Sequence, residues 1–98
     1  MDTKTITDNV KRDVMTQIIL NMRHMRLSLS DAEQLAQDFL EIFPVANSDE
    51  FFVKLFDLSK DYKEIRKVFL KYAGPYYEEK RQSSLKTVRE HMERGIYE

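Results

Sequence analysis

The chain has 98 residues, of which 42% are hydrophobic and 34% are charged, and its formal net charge is −1 at pH 7. This composition is too apolar for a disordered chain and too interrupted by charge for a membrane span, and the length suits one domain with a single core. The absence of cysteine excludes disulfides, thiol nucleophiles and cysteine-based zinc sites. We therefore expect one domain over residues 1–98. We also expect it to be cytoplasmic, because the chain does not open with the basic segment and apolar stretch of a signal peptide.

The chain contains only two glycines and two prolines, which favours long helices joined by short polar loops. The first helix is predicted from Thr7 or Asp8 to Leu27, with residues 1–6 flexible. Its apolar residues recur at helical spacing and share one side. They are Val10, Val14, Met15, Ile18, Ile19, Met22 and Met25.

The second and third helices are predicted from their start signals. Ser30 and Glu33 have the spacing of a capping box, so a helix is expected to begin there and to end before Pro44. Asn47 and Ser48 are both candidate N-caps for the third helix. Residues 51–58 follow, and six of these eight are apolar, three of them phenylalanine. Such an apolar helix is predicted to lie at the centre of a bundle, with Phe52 and Phe56 in the core.

The remainder of the chain is predicted to form a fourth and a fifth helix. Asp61 and Glu64 have capping-box spacing at the start of the fourth, and Gly74 followed by Pro75 is typical of a helix end and a new helix start. The fifth then runs from Pro75 to about Arg94. The predicted fold is therefore an all-α compact bundle of four to five helices, in which the C-terminal helix, residues 76–94, is more exposed and projects from the bundle.

The C-terminal helix carries the preferred functional hypothesis. Leu85, Val88 and Met92 repeat at spacings of three and four residues between charged flanks, as on one side of a coiled-coil seam. This row is predicted to bind a protein partner or a second copy of the chain. Packing of the same row within the monomer is the competing interpretation, since a small bundle needs its apolar rows. The predicted function is a non-enzymatic protein-interaction or regulatory module.

Charge patterning offers an alternative function. Residues 31–58 hold seven acidic residues against one lysine, whereas residues 59–89 hold nine basic residues against four acidic ones. Clustered positive charge is what phosphate binding requires, so a nucleic-acid-binding regulator is the alternative hypothesis. A solvated helix face explains the same pattern. The candidate phosphate-binding residues are Lys60, Lys63, Arg66, Lys67, Lys71, Lys80 and Arg81.

Catalytic, cofactor and metal sites are not indicated by the sequence. The two histidines, His24 and His91, are far apart, and neither has carboxylates at metal-ligand spacing beyond chance. Glycine-rich phosphate loops and the G-x-S-x-G and H-E-x-x-H patterns are absent. The aromatic residues between Phe39 and Tyr77 fit a bundle core better than a ligand pocket. We therefore predict no enzymatic activity, no cofactor and no metal.

Overall fold

The structure is a computed structural model that describes the backbone of residues 2–97 and the side chains of residues 2–93. The described residues form four helices, α1 (Thr3–Arg23), α2 (Leu29–Leu40), α3 (Ser48–Ser59) and α4 (Lys63–Tyr97). They form no strand, which confirms the predicted all-α bundle. Of the four to five helices predicted, the described residues form four. None of the described helices combines the length and the hydrophobicity needed to cross a membrane.

Helix α1 begins earlier and ends earlier than predicted. The Asp2 carboxylate accepts a hydrogen bond from the Thr5 amide at 2.7 Å and caps the first turn, which lets Ile6 reach the core. At the other end, Met25 adopts a left-handed conformation with φ of 58°. The amides of Met25 and Arg26 then bond back to the carbonyls of Met22 and Asn21, as in a Schellman motif. This motif ends the helix at Arg23 rather than at Leu27.

Helix α2 is capped by Ser28, and the predicted capping box at Ser30 is wrong. The Ser28 hydroxyl accepts a hydrogen bond from the Asp31 amide at 3.1 Å, so Leu29 is already helical and Ser30 lies within the first turn. Both serines have an acceptor oxygen and an acidic residue three positions later, which is why the spacing alone selects the wrong one.

Helix α3 lies at the centre of the bundle, as predicted. Its N-cap is Asn47, whose side chain accepts from the Glu50 amide at 2.8 Å. The side chains of Phe51, Phe52 and Leu55 are completely buried. The prediction that Phe56 belongs to the core is wrong, because its side chain is 48% exposed and contacts Phe69 at the edge of the bundle.

Helix α4 is one continuous helix, so the predicted break at Gly74 and Pro75 is wrong. Proline inside a helix removes one backbone hydrogen bond, and it also clashes with the Cβ of the preceding residue. Gly74 has no Cβ, which relieves the second effect. Packing on both sides of Pro75 holds the helix together, because Ala73 is buried and Tyr76 stacks on Phe52 with ring centroids 4.6 Å apart.

The core is formed where all four helices meet, and only the first half of α4 reaches it. The last core residue of α4 is Ala73, and Tyr76 packs against the core from its edge. The radius of gyration is 17.7 Å, against about 13 Å for a compact domain of 100 residues. The molecule measures 64 × 24 × 21 Å, because the second half of α4 extends beyond the bundle. The buried hydrophobic residues are Ile6, Val10, Val14, Ala32, Leu35, Phe39, Ile42, Phe51, Phe52, Leu55, Ile65, Val68 and Ala73.

Candidate interaction surface on the C-terminal helix

Helix α4 is held against α1 by the carboxylate of Asp13. The Lys71 ammonium donates to Asp13 Oδ2 at 2.8 Å, and the Tyr72 hydroxyl donates to the same oxygen at 2.7 Å. The side chain of Asp13 is 19% exposed and that of Lys71 is 64% exposed, so the carboxylate is shielded from water but the ammonium is not. We call it the Asp13 contact.

A second carboxylate, Asp49 in the first turn of α3, holds α4 on the far side of Pro75. The Lys80 ammonium donates to Asp49 Oδ1 at 2.6 Å, and the Tyr76 hydroxyl donates to the same oxygen. Both partners of the ion pair are about half exposed, so the Asp49 carboxylate is less shielded from water than that of Asp13. We call it the Asp49 contact. The two contacts position α4 and also fix the direction in which its second half leaves the bundle.

These hydrogen bonds shift the titration of the groups that make them. The hydrogen bond from Lys71 is the main reason that the pKa of Asp13 lies below its usual value. The hydrogen bonds from Lys80 and Tyr76 likewise lower the pKa of Asp49. Donation to Asp49 raises the pKa of Tyr76 to about 12. At neutral pH the phenol of Tyr76 therefore stays protonated and the two carboxylates stay ionised, so the hydrogen bonds are kept.

Beyond the Asp49 contact, the hydrogen bonds and ion pairs of α4 among the described residues lie within α4 itself. Every side chain of residues 81–93 is exposed. The hydrogen bonds and ion pairs there are local, such as Gln82 to Glu78 and Thr87 to the Ser83 carbonyl. We call residues 81–93 the projecting segment. Its first turn borders the bundle, where Ser83 lines a cavity with Ile6 and Phe52, and its side chains are exposed throughout.

The predicted partner-binding residues all lie on the projecting segment. The exposed fractions of their side chains are 55% for Leu85, 53% for Val88 and 65% for Met92. The competing interpretation, that this row packs within the monomer, disagrees with these exposures, and none of the three residues belongs to the described core. An apolar row without a partner therefore lies on a helix surrounded by water.

The basic residues proposed for phosphate binding do not form one free surface. Lys71 and Lys80 make the Asp13 and Asp49 contacts, Lys60 lies 3.5 Å from Asp57, and Arg81 lies 3.7 Å from Glu78. The Arg66 guanidinium donates to the Ser59 carbonyl at 3.4 Å. Lys63 and Lys67 are exposed, and neither makes an ion pair with a described residue. Four of the seven candidate residues therefore pair with acidic residues of the chain itself.

A cavity of about 590 Å³ lies where α4 passes the start of α1 and the start of α3. Its wall includes Ile6, Phe52 and Pro75, and its size falls within the range of small-molecule sites. The charged residues around it are Asp49, Glu79, Lys71 and Lys80, whose charges cancel. Since Lys71 and Lys80 already bind carboxylates of the chain itself, the cavity selects neither an anion nor a cation.

Within the described residues, no three histidine, aspartate or glutamate side chains are placed to hold a metal ion. His24 ends α1 and His91 lies on the projecting segment, so the fold keeps the two histidines on different elements. Comparison with protein-family models, with curated proteins and with solved structures gave no significant match to this chain.

Sequence reasoning missed one part of the exposed apolar surface. Leu70 is 65% exposed and lies on the same side of α4 as Tyr77 and the row on the projecting segment. A break at Gly74 would place Leu70 and Tyr77 on different helices, so the sequence prediction does not put them on one side of the same helix. The spacing of seven residues between them is the signal that would have indicated it.

Proposed function

We propose that the protein is a cytoplasmic, non-enzymatic interaction or regulatory module that presents Leu85, Val88 and Met92 to a protein partner. The observation that carries this proposal is the position of the row, which lies half or more exposed on a segment whose described hydrogen bonds and ion pairs all lie within α4. Exposed apolar rows rimmed by polar residues mark interaction sites.

The geometry of the row favours a helical mode of recognition. Positions i, i+3 and i+7 are the anchors that an amphipathic helix places into an apolar groove or against another helix. The projecting segment is short, and isolated helices of this length are marginally stable in water. Binding would bury the row and stabilise the helix at the same time, whereas the bundle would supply a rigid base.

Photocrosslinking tests the proposal without requiring a known partner. We would place the photoreactive amino acid benzoylphenylalanine at Val88 in one variant and at Glu90 in another, and irradiate cells of the native organism. Both positions are exposed, but they point to opposite sides of α4. We expect a protein crosslinked at Val88, either another protein or a second copy, and little product at Glu90. Equal products at the two positions, or none at Val88, would contradict the proposal.

A nucleic-acid-binding regulator is the second candidate, and Lys63 and Lys67 are the observation that favours it. They lie one turn apart at the start of α4, and both are exposed. Two free lysines are few for phosphate recognition, which makes this candidate the weaker one. Binding to duplex DNA and duplex RNA at low salt tests it, since phosphate contacts are strongest there. Binding that the Lys63→Glu, Lys67→Glu double variant abolishes would favour it over the first proposal.

A further inference from the structure

The outward side of α4 carries a longer row than the three residues of the projecting segment. Because the helix continues through Pro75, Leu70 and Tyr77 join Leu85, Val88 and Met92 on one side, and Gly74 and Arg81 fill the positions between them. All seven residues are exposed, and the space above Gly74 is open. We call this set the outer row. In order, it is Leu70, Gly74, Tyr77, Arg81, Leu85, Val88 and Met92.

The outer row runs almost straight along the helix. Successive members are separated by four, three, four, four, three and four residues. This average of about 3.7 residues per turn is close to that of an undistorted α-helix, so the row does not wind around α4. It covers about 33 Å of the helix axis. It lies largely opposite Ile65, Val68 and Tyr72, which face the bundle. Tyr77 is at the margin, because its ring also contacts Phe52 with centroids 6.1 Å apart. A second helix could therefore contact the row along the side that the bundle leaves exposed.

The outer row is symmetric about Arg81. Its spacings read the same from either end, so a second α4 lying antiparallel with Arg81 at the twofold axis aligns every member with another member. Tyr77 then lies opposite Leu85 of the second copy, and Leu70 lies opposite Met92 of the second copy. Gly74 lies opposite the larger Val88 of the second copy. A parallel pair in register would instead place Gly74 against Gly74 and leave a gap.

Charges at the centre of such a pair are also compatible. Arg81 is exposed and lies 3.7 Å from Glu78, on the preceding turn of its own helix. At a twofold axis the two arginines would approach each other, but each would bring its glutamate, so that two positive and two negative charges share the centre. Opposite charges placed in this way offset the repulsion between the arginines.

We propose that two copies of the chain associate antiparallel along the outer row, with the twofold axis at Arg81. This inference rests on the proposed function, because it names a second copy as the partner of the exposed row. A contact about 33 Å long and one helix wide is at the small end of specific interfaces. The dimer is therefore expected to be weak and to form as the protein concentration rises, rather than to be required for folding.

Single cysteines test this arrangement cleanly, because the chain has none of its own. We would introduce Arg81→Cys or Val88→Cys and treat each variant with a short bis-maleimide crosslinker. In the antiparallel dimer the two thiols introduced at position 81 meet at the axis, whereas two copies of position 88 lie about 21 Å apart along the helices. We expect covalent dimers from Arg81→Cys and few from Val88→Cys. Mixing Leu70→Cys with Met92→Cys should give a covalent dimer that neither variant gives alone.

Light scattering after size exclusion completes the experiment. We expect the mass of the wild-type protein to rise towards that of a dimer with concentration, and Leu70→Glu to keep it monomeric without changing its melting temperature. Covalent dimers from both Arg81→Cys and Val88→Cys would indicate a parallel pair and overturn the proposal. So would a dimer that Leu70→Glu leaves intact. A protein that stays monomeric at every concentration would overturn it as well. In that case, a different protein crosslinked at Val88 in cells would still support the proposed function.

Discussion

The two halves of α4 have the same backbone conformation but different reasons for being helical. Residues 63–80 pack Ile65, Val68 and Ala73 into the core and make the Asp13 and Asp49 contacts. The projecting segment has only its own backbone and local side-chain bonds. A helix in a protein is usually stabilised by packing of one face, and a short helix without packing is marginal. The first half is therefore part of the fold, and the second half is a helix that a partner can stabilise.

The same comparison shows that an apolar stripe in the sequence does not by itself indicate whether that side of the helix faces the bundle or the solvent. In residues 63–80 the inward row contacts the bundle and Leu70 points outwards, while the partly exposed Tyr77 lies at the edge and its ring contacts Phe52. In the projecting segment only the outward row continues. The apolar residues thus move from the inner to the outer side of one helix as it leaves the bundle. Predictions at three levels, from the core to the projecting segment, test this difference.

The largest effect is expected in the centre of the bundle. Phe52→Ala should lower the free energy of unfolding by about 3 to 5 kcal/mol, because its ring is completely buried and contacts Tyr76 of α4. Phe56→Ala is the matched control on the same helix. Its half-exposed ring should cost about 1 to 2 kcal/mol. Chemical denaturation followed by circular dichroism measures both. Equal losses would contradict the placement of Phe52 in the core and Phe56 at its edge.

A pair of identical substitutions compares the two halves of α4 directly. Val68→Ala removes two buried methyl groups and should cost about 2 kcal/mol, whereas Val88→Ala should change stability by less than about 0.5 kcal/mol. Both should be measured by denaturation at a protein concentration low enough to keep the chain monomeric. A comparable loss for Val88→Ala would mean that the projecting segment packs on the bundle after all.

The Asp13 contact predicts a pH dependence for the attachment of α4. Since the pKa of Asp13 is lower in the folded than in the unfolded chain, its contribution is fully present above about pH 4 and is lost as the pH falls through the folded value. Asp13→Asn should therefore lower stability by about 1 to 2 kcal/mol at pH 7. The difference from wild type should vanish in strong acid.

Unfolding free energies measured across this pH range would check the Asp13 prediction. Asp8→Asn, on an exposed position of the same helix, is the control. If it matched Asp13→Asn at every pH, the loss would come from the general charge of α1 and not from the contact with Lys71 and Tyr72.

The fold was more predictable than the surface, for physical reasons. The periodicity of buried residues such as Phe52 and Leu55 is strong, and it was sufficient to predict an all-α bundle around α3. Phe56 was misplaced because helical spacing alone does not say how far the neighbouring helices wrap around α3. The continuation of α4 through Pro75 depends on packing by residues far away in the sequence, such as Phe52 and Asp49, which local helix-ending signals do not include.

The candidate interaction surface was predicted in part. Leu85, Val88 and Met92 were identified from their spacing, but whether they were covered depended on the path of α4. The neutralisation of Lys71 and Lys80 was not predictable, because their partners Asp13 and Asp49 are distant in sequence. The pairs of Lys60 and Arg81 are only three residues apart, and their spacing could have indicated them. Ion pairs between elements are set by tertiary structure, and charge counts along the chain do not contain them.

The smallest expected effect tests whether the projecting segment unfolds independently of the bundle. Ser84 is exposed within this segment, and serine is a poorer helix former than alanine by about 0.5 kcal/mol. Ser84→Ala should therefore slow the hydrogen exchange of amides in residues 81–93 by about twofold. The melting temperature of the bundle should stay unchanged, because local opening of an uncovered helix does not require global unfolding. A rise in the melting temperature as large as that produced by a stabilising change in residues 63–80 would show that the two halves unfold together, and the contrast between them would fail.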